Sequence, residues 1–106
     1  MVKKEIINII KNFSNQLSNK GIKIEKIILF GSYARGDYKE WSDIDIAIVS
    51  ESFGVNRFEE RLFLSKIAAN IDSRIEPHPI GKNEFENDDW KILISEIKKS
   101  GIEIAA

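Results

Sequence analysis

Two aspartates separated by one residue, Asp43 and Asp45, carry the strongest chemical signal in the sequence. They open a short apolar run, and side chains two apart in a strand leave the same face with Cα atoms about 6.5–7 Å apart. Two unpaired carboxylates at that separation repel each other, and a hard divalent cation bound through oxygen removes the repulsion. The pair therefore predicts a site for one or two ions such as Mg²⁺.

A second signal lies twelve residues upstream, where Gly31-Ser32 ends another apolar run. Where a strand turns into a short helix, unpaired backbone N–H groups and the Ser32 hydroxyl can face an anion. Gly31 lets a phosphate approach the backbone closely, and Arg35 offers a planar charged group to phosphate oxygens one turn later. These residues predict a cradle for a triphosphate. Strands joined by so short a connection should pair antiparallel, which would bring the cradle and Asp43 to one end of a sheet.

The surrounding sequence predicts the helices and strands that would hold the two motifs. Apolar runs bounded by turn residues predict strands, and these cover Ile24–Phe30, Asp43–Val49, Arg74–Ile80 and a short Ile102–Ile104. Helical spacing of apolar residues predicts helices over about residues 3–19, over Arg57–Ile71 with Phe58 and Leu62 on its apolar face, and before Gly101. We therefore expect an α/β (α+β) fold, a small mixed sheet of three to four strands flanked by helices.

Individual residues add local expectations. Pro77 and Pro79 remove two amide donors from one side of the third strand, which makes it an edge strand. His78 between them is expected either on the surface or behind the residues that contact the substrate. Trp90 is expected in the core face of the last helix, which a cap at Asn83 and Glu86 would begin.

Two aromatic residues flank the cradle, Tyr33 and Trp41. Packing of the loop is the first interpretation for both, and stacking on a nucleotide base is the alternative.

Composition narrows the function classes. The chain has 106 residues, no cysteine, one histidine and a formal net charge of −1 with a pI near 5.9. We expect one domain over 1–106, without disulfides, thiolate metal sites or a multi-histidine zinc site. No apolar run approaches the roughly 18 residues of a membrane span, and the charge balance argues against direct nucleic acid binding. A cytoplasmic protein is expected.

The spacing of the motifs resembles that of the minimal nucleotidyltransferase (MNT) group in the DNA polymerase β-like nucleotidyltransferase superfamily. Gly31-Ser32, ten residues and Asp43-x-Asp45 match the pattern of the group, as do the flanks 32–36 and 42–45. The resemblance covers essentially the whole chain and implies the polymerase β-like fold. It also implies a third acidic residue on a later strand, for which Glu76 is the candidate and Asp72 the rival.

The resemblance implies a reaction as well. An acceptor hydroxyl would attack the α-phosphorus of ATP, and pyrophosphate would leave. Asp43 and Asp45 would hold two Mg²⁺, Glu76 would bind the second ion and accept the hydroxyl proton, and Ser32 with its neighbouring amides would hold the pyrophosphate.

Stand-alone MNT proteins of this length resemble the antitoxin of two-component pairs whose partner is an all-helical HEPN ribonuclease toxin. This implies transfer of AMP from ATP to a tyrosine of the toxin. Two alternatives remain open: an antitoxin that neutralises its partner by binding alone, and a nucleotidyltransferase for small molecules that builds its acceptor pocket with a second subunit. Either a homo-oligomer or a hetero-oligomer is compatible with these interpretations.

Overall fold

This computed structural model describes residues 2–104, which form five helices and four strands. The helices are α1 (Lys4–Asn19), α2 (Ser32–Arg35), α3 (Arg57–Ala69), α4 (Lys82–Asn87) and α5 (Ile92–Ser100). The strands are β1 (Lys26–Phe30), β2 (Ile44–Ser50), β3 (Ile75–Gly81) and β4 (Ile102–Ile104). No helix among these residues combines the length and the apolar character needed to cross a membrane.

The four strands form one mixed sheet in the order β3-β2-β1-β4. Strand β1 is antiparallel to both β2 and β4, whereas β2 and β3 run parallel and are connected through α3. The mixed sheet flanked by helices confirms the predicted fold class. Strand β3 lies at one edge, as Pro77 and Pro79 predicted, because a strand lacking those donors pairs fully on one side only.

Each face of the sheet packs against its own pair of helices, because successive side chains of a strand point to opposite faces. One core joins α1 and α3 to Ile27, Leu29, Ile44, Ile46 and Ile48. The other joins Phe85 of α4 and Ile94 and Ile97 of α5 to Ile28, Phe30, Ala47 and Val49. The alternation along β1 and β2 therefore decides which side chains face which pair of helices.

Helix α1 forms because its apolar residues recur every three or four positions. Ile6, Ile10, Phe13 and Leu17 are fully buried, which contributes roughly 1.5–3 kcal/mol for each side chain. The helix ends before Gly21, whose φ of +87° suits glycine, and the amide of Ile22 donates to the Leu17 carbonyl at 3.1 Å. The predicted helix over residues 3–19 is thus confirmed.

The buried face of α3 differs from the prediction. Leu64, Ile67 and Ala68 form it, whereas Phe58 and Leu62 are exposed. The start of α3 is fixed instead by polar contacts, because Glu60 accepts backbone N–H bonds from residues 54, 55 and 56 at 2.9–3.1 Å. Burial alone would raise the pKa of Glu60, and these three donors lower it.

The end of the chain corrects two predictions. The last helix before Gly101 is confirmed as α5, but a separate helix, α4, precedes it. The capping contact of α4 uses Gly81 and Glu84, not Asn83 and Glu86: the amide of Gly81 donates to Glu84 Oε1 at 3.1 Å. Trp90 lies in the break between α4 and α5 and is 77% exposed, because the break moves it off the apolar face that continues through Ile94.

Glu84 connects three elements at the end of the sheet where β2 and β3 finish. Its side chain is only 10% exposed and accepts from Arg57 of α3 at 2.6 Å, from Lys91 at 2.8 Å and from the Gly81 amide. Burial by itself would raise the pKa of Glu84, but the bonds from Arg57, Lys91 and Gly81 lower it to about 2.

The bonds that Glu84 accepts from Arg57, Lys91 and Gly81, which we call the Glu84 clamp, predict a pH dependence of stability. Because the folded-state pKa lies below the ordinary value of 4.5, the contribution of Glu84 is fully present above about pH 4.5 and is lost as the pH falls toward 2. We expect Glu84→Gln to lower the free energy of unfolding by about 2 kcal/mol at pH 7, and to flatten its decline between pH 4.5 and 2. Urea unfolding at a series of pH values measures both effects.

The matched control is Glu86→Gln, which changes an exposed glutamate of the same helix and should alter stability by less than about 0.5 kcal/mol. A Glu84→Gln variant with the stability and acid dependence of the unchanged protein would contradict the clamp.

Candidate active site

The two motifs singled out in the sequence lie at one end of the sheet. Strands β1 and β2 pair antiparallel with Phe30 opposite Asp45, so the residue before Gly31 is the cross-strand neighbour of an aspartate. This confirms the predicted pairing. Asp45 alternates with the buried Ile44 and Ile46, so its side chain lies on the opposite face of the sheet. This is the face of Ala47 and Val49, which α4 and α5 cover.

Gly31 is required at its position for two independent reasons. Its φ of +73° and ψ of −153° belong to a region that side chains disfavour. A Cβ built at Gly31 would also overlap Oδ2 of Asp45. The carboxylate of Asp45 is therefore packed directly against the backbone at the start of α2.

Helix α2 is a single turn that begins at this glycine. The amides of Ala34 and Arg35 donate to the Gly31 carbonyl at 3.1 and 3.0 Å, and Gly36, with φ of +90°, ends the turn. None of the described residues forms a hydrogen bond with the Ser32 hydroxyl, which is half-buried. Ser32 can therefore donate to a ligand, as the cradle interpretation requires.

Arg35 lies at the rim of this end of the sheet. Its Nε donates to Asp37 at 3.3 Å, and its Nη1 lies 3.6 Å from a carboxylate oxygen of Glu96 on α5. All three side chains are substantially exposed, and such pairs contribute about 0–1 kcal/mol. A phosphate could replace either partner at small cost.

The candidates for the third carboxylate have different surroundings. Glu76 is directly paired with Asp45 across the parallel strands β2 and β3, and its carboxylate accepts from Arg61 of α3. Asp72 lies in the turn before β3, where both of its oxygens bind Arg74 at 2.9–3.0 Å. The Arg74 guanidinium lowers the pKa of Asp72. Both carboxylates thus have an arginine partner, but only Glu76 is the strand neighbour of Asp45, so Glu76 remains the candidate and Asp72 the rival.

His78, for which the sequence left open a surface position or one behind the substrate-contacting residues, lies next to Asp45. Its Nε2 lies 3.3 Å from Oδ1 of Asp45, and its ring packs edge-on against Phe30 with centroids 5.0 Å apart. The side chain is mostly buried, at 17% exposure. The sequence indicates this position through the two-residue period of a strand, because His78 is two residues from Glu76 and shares its face of β3.

The aromatic residues near the cradle separate into two classes. Tyr33 is buried, stacks on Tyr38 with centroids 4.4 Å apart, and accepts from Arg74 at 3.3 Å. This confirms loop packing for Tyr33. Trp41 is 80% exposed, so loop packing is wrong for this residue.

The donor chemistry at this end of the sheet suits a hard cation. Asp43, Asp45 and Glu76 provide carboxylate oxygens, the ligands that Mg²⁺ takes in proteins. Within residues 2–104, however, no three Asp, Glu, His or Cys side chains are grouped closely enough to hold an ion together. The carboxylate of Glu76 is directed to Arg61, so Asp43 and Asp45 are the pair whose type and spacing fit the ion.

Comparisons with known proteins identify the family of the chain. A family model described as a nucleotidyltransferase domain matches residues 7–104. A Methanocaldococcus jannaschii protein with the curated name "Putative protein adenylyltransferase MJ0141" is 34% identical over 103 residues, which are 94% of this chain and 99% of the relative.

Solved structures share the fold. A toxin–antitoxin structure with AMP-PNP has a TM-score of 0.66 at 25% identity, over 94% of this chain and 73% of that one. A structure from Sulfolobus solfataricus has a TM-score of 0.64 over 93% of this chain and 78% of its own, and at 23% identity it shows the fold alone. Because the family model and the curated relative both span nearly the whole sequence, this chain belongs to the nucleotidyltransferase domain family, as a minimal nucleotidyltransferase.

Proposed function

We propose that the chain is an Mg²⁺-dependent protein adenylyltransferase that moves AMP from ATP to a tyrosine hydroxyl of a HEPN-type toxin and thereby acts as its antitoxin. One observation carries the proposal: the Asp45 carboxylate lies between Gly31 of the phosphate cradle and Glu76 of the neighbouring strand. This arrangement supports neighbouring positions for the donor, the ion and the acceptor at one end of the sheet.

The comparisons support separate parts of the proposal. The name of the M. jannaschii relative supports a protein as the acceptor. The toxin–antitoxin structure with AMP-PNP supports ATP as the donor and a toxin as the partner. The HEPN class and the tyrosine come from the resemblance of the Gly31–Asp45 motif to the MNT group.

The reaction assigns a task to each residue. The acceptor oxygen bonds to the α-phosphorus, the bond from that phosphorus to the β-phosphate oxygen breaks, and pyrophosphate leaves with the electron pair. Glu76 takes the hydroxyl proton, while Ser32 and Arg35 hold the departing pyrophosphate. Asp43 and Asp45 would hold Mg²⁺, which would supply positive charge to the phosphates and lower the pKa of the acceptor hydroxyl.

A second candidate function is an antitoxin that neutralises its partner by binding alone. Large apolar side chains are exposed at the start of α3, with Val55 90%, Phe58 78% and Leu62 47% accessible. Adjacent exposed apolar residues are typical of protein-binding surfaces. Such a surface is compatible both with AMP transfer and with neutralisation by binding alone. Substitution of Asp43 and Asp45 distinguishes the two functions.

Replacing both aspartates tests the reaction. Asp43→Asn combined with Asp45→Asn removes the anionic oxygens for the ion, and transfer of label from α-labelled ATP to the toxin should fall by about 100-fold or more. Glu40→Gln changes an exposed acid on the same loop and should leave transfer unchanged. Transfer that survives in the double variant, or that is absent in the unchanged protein, would overturn the proposal.

The same double variant tests how the toxin is silenced. If AMP transfer is the mechanism, cells that produce the toxin together with the double variant should not grow, although the variant still folds. Growth at the level given by the unchanged protein would show that binding suffices. In that case Phe58→Ser with Leu62→Ser should abolish the rescue.

Gly31→Ala tests the cradle through packing alone. The added Cβ would overlap Oδ2 of Asp45 and displace the carboxylate, so we expect transfer to fall by about 100-fold or more. The matched control is Gly36→Ala: its φ is similarly positive, but its Cβ would meet no atom within 4 Å. That variant should lose about 1–2 kcal/mol of stability and keep its activity. Equal activity losses in the two variants would contradict the role of the contact between Gly31 and Asp45.

A further inference from the structure

Trp41 is an exposed aromatic residue beside the proposed donor site. It lies two residues before Asp43, and its side chain is 80% accessible. Among residues 2–104, no aromatic ring or cation packs on the indole, whereas Lys91 lies 5.5 Å from the ring centroid of Trp90, the other tryptophan. The fold therefore leaves a large apolar ring in solvent two residues before Asp43, without an aromatic or cationic partner among the described residues.

The turn that carries Trp41 is fixed on both sides of this residue. The Lys39 amide donates to Ser42 Oγ at 2.7 Å, and the Ser42 amide donates to the Lys39 carbonyl at 3.1 Å. Just before the turn, Tyr38 stacks on the buried Tyr33. A ligand that binds the indole therefore does not have to order the backbone, which favours affinity.

The strand order indicates which part of a substrate reaches this turn. If the proposed function holds, pyrophosphate leaves on the side of Gly31 at the end of β1, and the acceptor enters on the side of Glu76 on β3. Strand β2, with Asp43 and Asp45, lies between them. The nucleoside is bonded to the same α-phosphorus, so it has to extend to one side of the line that joins the pyrophosphate and the acceptor. The turn that carries Trp41 directly precedes Asp43 and β2, and we infer that it lies on that side.

We propose that Trp41 forms the nucleobase subsite, where its indole stacks on the purine of the bound nucleoside triphosphate. The proposal rests on the proposed function and assigns the part of the donor that Gly31, Ser32 and Asp43 do not contact. Stacking on an aromatic ring is available to every base, because each has a π-face. Trp41 therefore contributes affinity for the nucleoside, and its contribution differs little between adenine and guanine.

The first test uses the fluorescence of the two tryptophans. In Trp90→Phe, all tryptophan emission comes from Trp41, and in Trp41→Phe all of it comes from Trp90. Titration with AMP-PNP and MgCl₂ should quench the emission of the first variant to saturation and leave that of the second unchanged. Quenching of Trp90 alone would overturn the proposal.

The second test separates the base from the phosphates. Calorimetry should show that Trp41→Ala weakens binding of Mg²⁺–AMP-PNP about tenfold. Binding of Mg²⁺–tripolyphosphate, which has no base, should stay within about twofold. Trp41→Phe should recover most of the affinity, because it keeps a ring, and Trp90→Ala should bind both ligands like the unchanged protein.

The outcomes distinguish this proposal from the proposed function. If Trp41→Ala binds AMP-PNP normally, or loses tripolyphosphate to the same extent, the subsite is wrong although the donor site stands. If it binds AMP-PNP normally but transfers AMP poorly, the indole contacts the acceptor and the base assignment is wrong. If the unchanged protein binds neither ligand, the donor site itself is wrong, and the subsite with it.

Discussion

The close approach of the Asp45 carboxylate to the backbone of Gly31 is the contact on which the rest of the site depends. It requires a residue without Cβ at position 31 and a strand pairing that sets Phe30 opposite Asp45. A shift of one residue in that pairing would direct Asp45 into the core with α1 and α3 and turn Ile46 out of it, at a large cost. The register that buries the isoleucines is thus the register that places the carboxylate against the cradle.

The face of the sheet that carries Asp45 has two ends with different tasks. At the end where β2 and β3 begin, this face carries Asp45, Glu76 and His78. At the other end, Ala47 and Val49 lie under α4 and α5, and Glu84 ties these helices to α3. On this face the apolar packing lies at the covered end, and the polar end is left open to a ligand. The two ends differ because the β2 side chains on this face change from the acidic Asp45 to the apolar Ala47 and Val49.

Sequence patterns predicted the parts of the fold that depend on local chemistry. The alternation in β1 and β2, the helical spacing in α1 and the missing donors of Pro77 and Pro79 all correspond to the structure. The contacts of Glu84 and His78 were not predicted, because they join residues far apart in sequence, as between His78 and Asp45. Trp90 was misplaced because a break of four residues, 88–91, leaves the periodic pattern on both sides nearly intact. The roles of Asp43, Asp45 and Glu76 in catalysis remain predictions.

The charge of one carboxylate at the open end is offset within the chain itself. Asp45 and Glu76 are neighbours across two strands, and like charges in that relation repel. Arg61 offsets the charge of Glu76, and His78 Nε2 lies within reach of Asp45. The pair between Arg61 and Glu76 is half-exposed on both sides, so its strength is that of a surface salt bridge, about 0–1 kcal/mol. If the proposed function holds, a divalent cation brought to Asp43 and Asp45 by the triphosphate would compete with Arg61 for Glu76, because it carries more charge than the guanidinium and is smaller. Glu76 would then join the site only when the nucleoside triphosphate is bound, because its salt bridge with Arg61 is weak.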